Sequence, residues 1–196
     1  MTSENTAAAK KTVWLTFDDG PHPVHTDGIL KVLDRFDVKA TFFVVGELVE
    51  QWGDVVERSF NAGHRIGNHS FAHPDLTKLP EDECRRQILE TDRLISRYVG
   101  QDRLFRVPYG ARNATVDRIV RETGYRMIGW NADTLDWAAR YQPRGWIFNG
   151  LTAVSQNDDS IVLIHDTCET TAANLDAFLD AVLALGNVDF GRPDRL

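Results

Sequence analysis

The stretch LTFDDGPHP, residues 15 to 23, sets Asp18 and Asp19 side by side at the end of an apolar run. Adjacent carboxylates repel each other, and a divalent cation relieves that repulsion. One aspartate then binds the ion while the other stays free as a base. HSFAH, residues 69 to 73, adds His69 and His73. At i, i+4 in a helical turn both imidazoles face one way, within reach of one cation, and Pro74 stiffens the backbone beside them. Read singly, the histidines are also ordinary surface or cap residues, and the aspartates an ordinary turn or helix cap. Read together, one carboxylate and two imidazoles form a catalytic type of ligand set with a position left for water.

Three further stretches carry chemistry. FRVPYG supplies Arg106, an arginine at the end of a buried strand, which needs a carboxylate partner. Asp18 is the natural candidate. DTLDW supplies Asp133 and Asp136, either of which could cap a helix. IVLIHD supplies His165, which alone reads as a satisfied core histidine. Side by side, an aspartate and this histidine make a general acid: the carboxylate fixes the tautomer and raises the imidazole pKa.

The elements that must position these groups alternate. Strand-like runs fall at 12–17, 40–45, 64–68, 104–108, 125–130 and 160–165. Amphipathic segments lie between them, with apolar faces Ile29/Leu33/Phe36, Leu48/Trp52/Val55/Val56, Cys84/Ile88/Ile95, Val116/Ile119/Val120 and Leu175/Phe178/Leu179/Val182. This β-α alternation predicts a parallel sheet with helices outside, closed as a barrel or left open. No glycine-rich phosphate loop follows the first strand, which argues against a nucleotide-binding open sheet. The chemical residues cluster just after strands, and in a parallel barrel all strand C-termini share one face.

Composition narrows the class. The 196 residues are 42% hydrophobic and 26% charged, with a net charge of −7, which argues against a nucleic-acid partner. No apolar window is long enough to span a membrane. Residues 1–11 read as a disordered tail and 12–196 as one domain. The tail lacks the apolar core of a secretory leader, so a cytoplasmic location is expected if this is the natural N-terminus, and a secreted one if a leader was removed. The two cysteines, Cys84 and Cys168, read as free thiols. A monomer is expected.

The set TFDDG, HSFAH, RVPYG, DTLDW and LIHD, in this order, resembles the motifs of carbohydrate esterase family 4. These are the polysaccharide deacetylases that share a domain with the rhizobial nodulation-factor deacetylase. The resemblance spans roughly residues 12 to 185. It implies an α/β fold, a distorted parallel (β/α) barrel of about seven strands with the site at the strand C-terminal face. It implies metal-dependent removal of acetyl groups from sugars. By match, Asp18 resembles the base and Asp19, His69 and His73 the metal ligands. Arg106 resembles the residue that holds the base, and the Tyr109 backbone N–H the oxyanion donor. His165 resembles the acid, with Asp133 the better match for the residue that tunes it. Leu163 resembles the floor of the acetyl pocket and Trp137 a groove wall. The implied cofactor is one divalent cation, zinc first, with cobalt or nickel as alternatives. The expected substrate is chitin or a chitooligosaccharide; an acetyl xylan esterase or a peptidoglycan N-acetylglucosamine deacetylase would share the site. Trp137, Tyr141 and Trp146 are candidates for stacking on sugar rings, unless Trp146 and Phe148 form the core face of a short helix. Two other classes compete. The facial triad of non-haem iron oxygenases uses the same ligand types but a different scaffold, and a non-catalytic sugar-binding module would not need an intact acid and base.

Overall fold

Val13, Leu15 and Phe17 alternate along β1 (Lys11–Asp18) with Trp14, Thr16 and Asp18, and all but Trp14 are buried. A strand covered on both faces belongs in the middle of a sheet, and β1 lies there. The computed structural model describes residues 10–196, so the tail expected over 1–11 lies outside the described residues except for Lys10 and Lys11, and Lys11 already opens β1. The other strands are β2 (Thr41–Val44), β3 (Arg65–Asn68), β4 (Arg103–Phe105), β5 (Tyr125–Met127), β6 (Ala132–Asp133), β7 (Asp159–His165) and β8 (Val188–Phe190). Seven of them form one path in the order β5-β4-β3-β2-β1-β7-β6, and every pairing is parallel. β7 pairs with β1 from Thr12 to Asp18; on the opposite edge β8 takes Lys11–Val13 and β2 takes Thr16–Asp18. The expected distorted parallel barrel is therefore present as a curled half-barrel.

Helices α1 (His25–Arg35), α2 (Gly46–Asn61), α3 (Glu81–Ile95), α4 (Ala114–Glu122), α5 (Gly145–Gln156) and α6 (Glu169–Leu183) bury the faces the periodicity marks, among them Ile29 and Leu33, Ile88 and Ile95, and Phe178 and Val182. α2 differs from the expected face. Its backbone leaves helical geometry at Trp52 (φ −133°, ψ 38°), and Trp52 turns outward while Val49, Val55 and Val56 go inward.

β5 and β6 are neighbours in the chain yet occupy opposite ends of the sheet, so residues 128–131 cross the opening between them. The strand expected over 125–130 ends at Met127 for this reason. That expected over 104–108 ends at Phe105, before Pro108, which has no N–H to donate. Inside the half-barrel Phe43, Leu104 and Ile128 form a small apolar cluster. Gly67 makes room for it: a Cβ there would come within 2.5 Å of the Phe43 ring. Both cysteines are free.

Candidate active site

Strand register brings the site together. Asp18 at the end of β1 is the direct partner of His165 at the end of β7, and Asp133 of β6 is the partner of Leu163. Asn68, which ends β3, precedes His69, and its partner Phe105 on β4 precedes Arg106. All of these lie at the C-terminal ends of parallel strands.

Asp19, His69 and His73 converge, with their ligand atoms all within 4.8 Å of one another. Nε2 of His69 is 3.3 Å, and Nε2 of His73 3.2 Å, from Oδ1 of Asp19. The His69 Nδ1 lies 2.8 Å from the Arg106 carbonyl, which only accepts, so Nδ1 carries the proton and Nε2 keeps its lone pair for the cluster. Oδ1 of Asp19 is buried with no hydrogen-bond partner among the described residues. A buried carboxylate oxygen that faces imidazole nitrogens and is otherwise unsatisfied fits a divalent cation. Burial opposes the charge on Asp19, but the two histidines outweigh it and hold this carboxyl below the usual carboxylate range.

The histidines do not reach this arrangement through a helical turn, as their spacing suggests. Residues 69–75 are a loop in which Ser70 (φ 65°) and His73 (φ 55°) are left-handed. Side chains outside the loop hold its backbone. The Ser70 N–H donates to Asn68 Oδ1 (2.9 Å), and the Phe71 and Ala72 N–H groups donate to Gln87 Oε1 on α3 (3.1 and 2.8 Å). Six non-glycine residues among those described have left-handed φ, and Asp19, Ser70, His73, Tyr109 and Leu135 are five of them; Asp37 is the sixth. Such conformations cost about 1 kcal/mol or more each, and here they gather around one cleft.

Arg106 is completely buried and Asp18 nearly so. Nη1 of Arg106 donates to Asp18 Oδ1 (2.8 Å) and to Thr16 Oγ1 (2.7 Å), while Nη2 and Nε reach the carbonyls of Gly129 (2.8 Å) and Ile128 (3.3 Å) on the crossing segment. Its face covers the Phe43 ring, 4.3 Å from the centroid. Burial lowers the Arg106 pKa, and the Asp18 charge opposes that shift. The expected pairing of Arg106 with Asp18 is thus observed.

His165 corrects one assignment. Its Nδ1 donates to Asp136 Oδ1 (2.7 Å), not to Asp133. Asp136 is fully buried, and its second oxygen accepts from the His165 N–H (2.8 Å) and from Thr171 Oγ1 (2.6 Å). Asp133 sits three residues earlier, on a strand that leads to the left-handed Leu135. Its carboxylate accepts from the Leu135 N–H (2.9 Å) and lines the cleft without touching His165. Burial opposes charge on His165, but the Asp136 bond and charge, helped by Asp18 and Asp19, raise its pKa to about 9. Burial also raises Asp133, and pushes the Cys168 thiol up to about 12.

These groups open into one cleft of about 480 Å³, lined also by Val107, Tyr109, Trp130, Trp137 and Leu163. The Tyr109 N–H meets no acceptor among the described residues. Tyr109 and Trp137 are 70% and 58% exposed at the rim, and the Tyr109 ring meets the His73 ring edge-on at 4.6 Å. Trp146 is fully buried and belongs to the core, while its neighbour Phe148 points outward. Sequence reasoning missed Thr171, Gln87 and Trp130. The first two act through side chains on helices, and nothing in the spacing marks them.

A parallel half-barrel with this side-chain set on its C-terminal rim is the architecture of the polysaccharide deacetylases. The family model described as polysaccharide deacetylase matches residues 5–128, and the chain belongs to that family. It is 40% identical over 181 residues to the peptidoglycan-N-acetylglucosamine deacetylase PgdA of Listeria monocytogenes, which covers 92% of this chain; the chain spans only 38% of that protein. It is 34% identical over 163 residues to the chitooligosaccharide deacetylase of Azorhizobium caulinodans, covering 81% of this chain and 75% of the relative. Among solved structures, the family 4 carbohydrate esterase from Streptomyces lividans in complex with acetate superposes with a TM-score of 0.81 at 30% identity, covering 94% of this chain and 93% of that one.

Proposed function

We propose that this protein hydrolyses the acetamide of N-acetylglucosamine units in an oligo- or polysaccharide and releases acetate. The observation that carries the reading is the convergence in one cleft of an arginine-held aspartate, an aspartate-held histidine and a carboxylate with two imidazoles. Asp19, His69 and His73 would hold a divalent cation, zinc first, which would supply Lewis-acid polarisation of the acetyl carbonyl and a water of lowered pKa. Asp18 takes the proton of the attacking water. Arg106 holds that carboxylate in place. The Tyr109 N–H donates to the carbonyl oxygen as it gains negative charge. Leu163, nearly buried in the cleft wall, gives the acetyl methyl an apolar surface. His165, with its Nδ1 proton on Asp136, presents Nε2 to the leaving amine and donates the proton the amine needs. Asp133 lines the cleft as a substrate contact. Trp137 and Tyr109 offer flat faces to sugar rings.

The test is acetate release from N-acetylglucosamine oligomers of increasing length, with acetylxylan in parallel. It is run after chelation and again with added zinc or cobalt. Metal-restored release from the oligomers, lost in Asp18→Asn, is the expected result. Release from acetylxylan alone would make the enzyme an O-acetyl esterase, and oxygen uptake with iron would overturn the hydrolytic reading.

A further inference from the structure

The stretch LIHD ends in Asp166, a buried carboxyl to which the reaction gives no task. It lies inside the turn that carries Asp18 and Asp19. The Asp166 N–H donates to the Asp18 carbonyl (3.3 Å). Its Oδ2 accepts from Thr26 Oγ1 on α1 (2.6 Å), and that hydroxyl oxygen accepts in turn from the His22 N–H (2.8 Å). Between these two ties the carboxylate packs on Gly20. A Cβ at Gly20 would overlap it, and the three nearest atoms would all be its own. Gly20 is not among the residues with left-handed φ, so its backbone suits any residue. The Asp166 carboxylate is what excludes a side chain there. On the other side of the turn the Val45 N–H donates to the Gly20 carbonyl (2.8 Å).

Asp18, Gly20 and His22 are thus held, directly or through Thr26, by one residue. Asp19 stands among them with φ 74°, a conformation that costs about 1 kcal/mol or more and relaxes unless its neighbours are fixed. Oδ1 of Asp166 has no hydrogen-bond partner among the described residues. A buried carboxyl with an unsatisfied oxygen is an expensive way to fill a core. An apolar side chain would fill it at less cost, but could not accept from Thr26.

We infer that Asp166 is a positioning residue of the metal site: its carboxyl fills the inside of the turn at 18–22, ties it to α1 through Thr26, and so holds Asp19 in the left-handed conformation that aims Oδ1 at His69 and His73. This rests on the metal-site reading above. Asp166 acts by shape and hydrogen bond, not by charge.

The experiment measures zinc affinity of the stripped protein by competition with a fluorescent chelator, and the visible spectrum of bound cobalt, which reports coordination geometry. Wild type is compared with Asp166→Asn, Asp166→Ala, Thr26→Val, Gly20→Ala and the double variant Gly20→Ala/Asp166→Ala. The Tm of each stripped protein is followed in parallel. A merely structural role would lower Tm and leave the affinity and cobalt spectrum of the folded protein unchanged. Asp166→Ala and Thr26→Val are expected to weaken zinc binding about tenfold and to alter the cobalt spectrum, while Asp166→Asn, of the same shape, stays within about twofold of wild type. Gly20→Ala forces the carboxylate aside and also weakens zinc; adding Asp166→Ala returns a methyl to the vacated space and recovers part of the loss. Wild-type affinity in both Asp166→Ala and Thr26→Val overturns the inference. So does a loss in Asp166→Asn as large as in Asp166→Ala, which would make charge the agent. If Asp166→Ala does not fold, Thr26→Val and Asp166→Asn decide on the same terms. A wild type that binds neither zinc nor cobalt overturns the metal-site reading and this inference together. The expected pattern of zinc affinities without acetate release from any glycan supports the inference and removes only the deacetylase reading.

Discussion

His165 holds its proton more tightly than an ordinary imidazole because three aspartates outweigh the effect of its burial. Asp136 does most of this, and both its oxygens are occupied, by the imidazole, by the His165 N–H and by Thr171. Activity should fall on the alkaline side near pH 9, or lower once a cation shares the site, as His165 loses its proton. A kcat profile against pH checks this, and His165→Gln should abolish that limb. The same variant should spare ester substrates more than amides, since an alkoxide leaves more easily than an amide anion. Equal losses would remove His165 as the acid. The shift also has a consequence for stability. The native imidazole binds its proton up to about pH 9, against an ordinary value of 6.5. Its contribution is full below pH 6.5 and is lost as pH rises through 9. The Tm of the chelated protein should therefore decline across that window, and His165→Gln should flatten the decline.

At the scale of elements, the loop at 69–75 is the part that spacing alone misreads. H-x-x-x-H points to the correct pair for the wrong reason: the histidines meet because Ser70 and His73 are left-handed, not because a helix aligns them. Such a loop keeps its shape only if its backbone groups are held from outside. Gln87, reaching up from α3, does this for two of them. Gln87→Ala should weaken zinc binding roughly tenfold, as loss of outer support does at metal sites. Competition with a fluorescent chelator measures it, and zinc affinity equal to wild type would show that the loop holds itself. The strands fall where the expected runs lie, though those expected over 104–108 and 125–130 stop early, at Phe105 and Met127. β6 and β8, of two and three residues, are too short to leave a pattern, and tertiary pairing alone makes them strands.

At the scale of the whole molecule, residues 128–131 cross the open side of the half-barrel, and one buried side chain ties them to its interior. Arg106 joins β4 to β1 through Asp18 and Thr16, and to the crossing segment through the carbonyls of Ile128 and Gly129. Removing it strands a buried carboxylate as well as a seam. Arg106→Met should cost about 3–5 kcal/mol in denaturant unfolding, with loss of activity. Adding Asp18→Leu should recover much of the stability and none of the activity. Without that recovery, the seam rather than the orphaned charge carries the cost. No helix among the described residues is long and apolar enough to cross a membrane.

By itself the sequence determined the α/β class, most helix faces, the metal-type triad and the pairing of a buried arginine with Asp18. The first two follow from short-range periodicity, and the last two from residue type alone. Only the tertiary structure decided which aspartate serves His165. Asp133 and Asp136 share one motif, about thirty residues before His165, and the choice depends on how the chain turns at Leu135 after β6. Only the structure also revealed that residues 128–131 bridge the two ends of the sheet. Spatial neighbours far apart in the chain leave no local pattern, because the contacts that define them exist only once the sheet has curled.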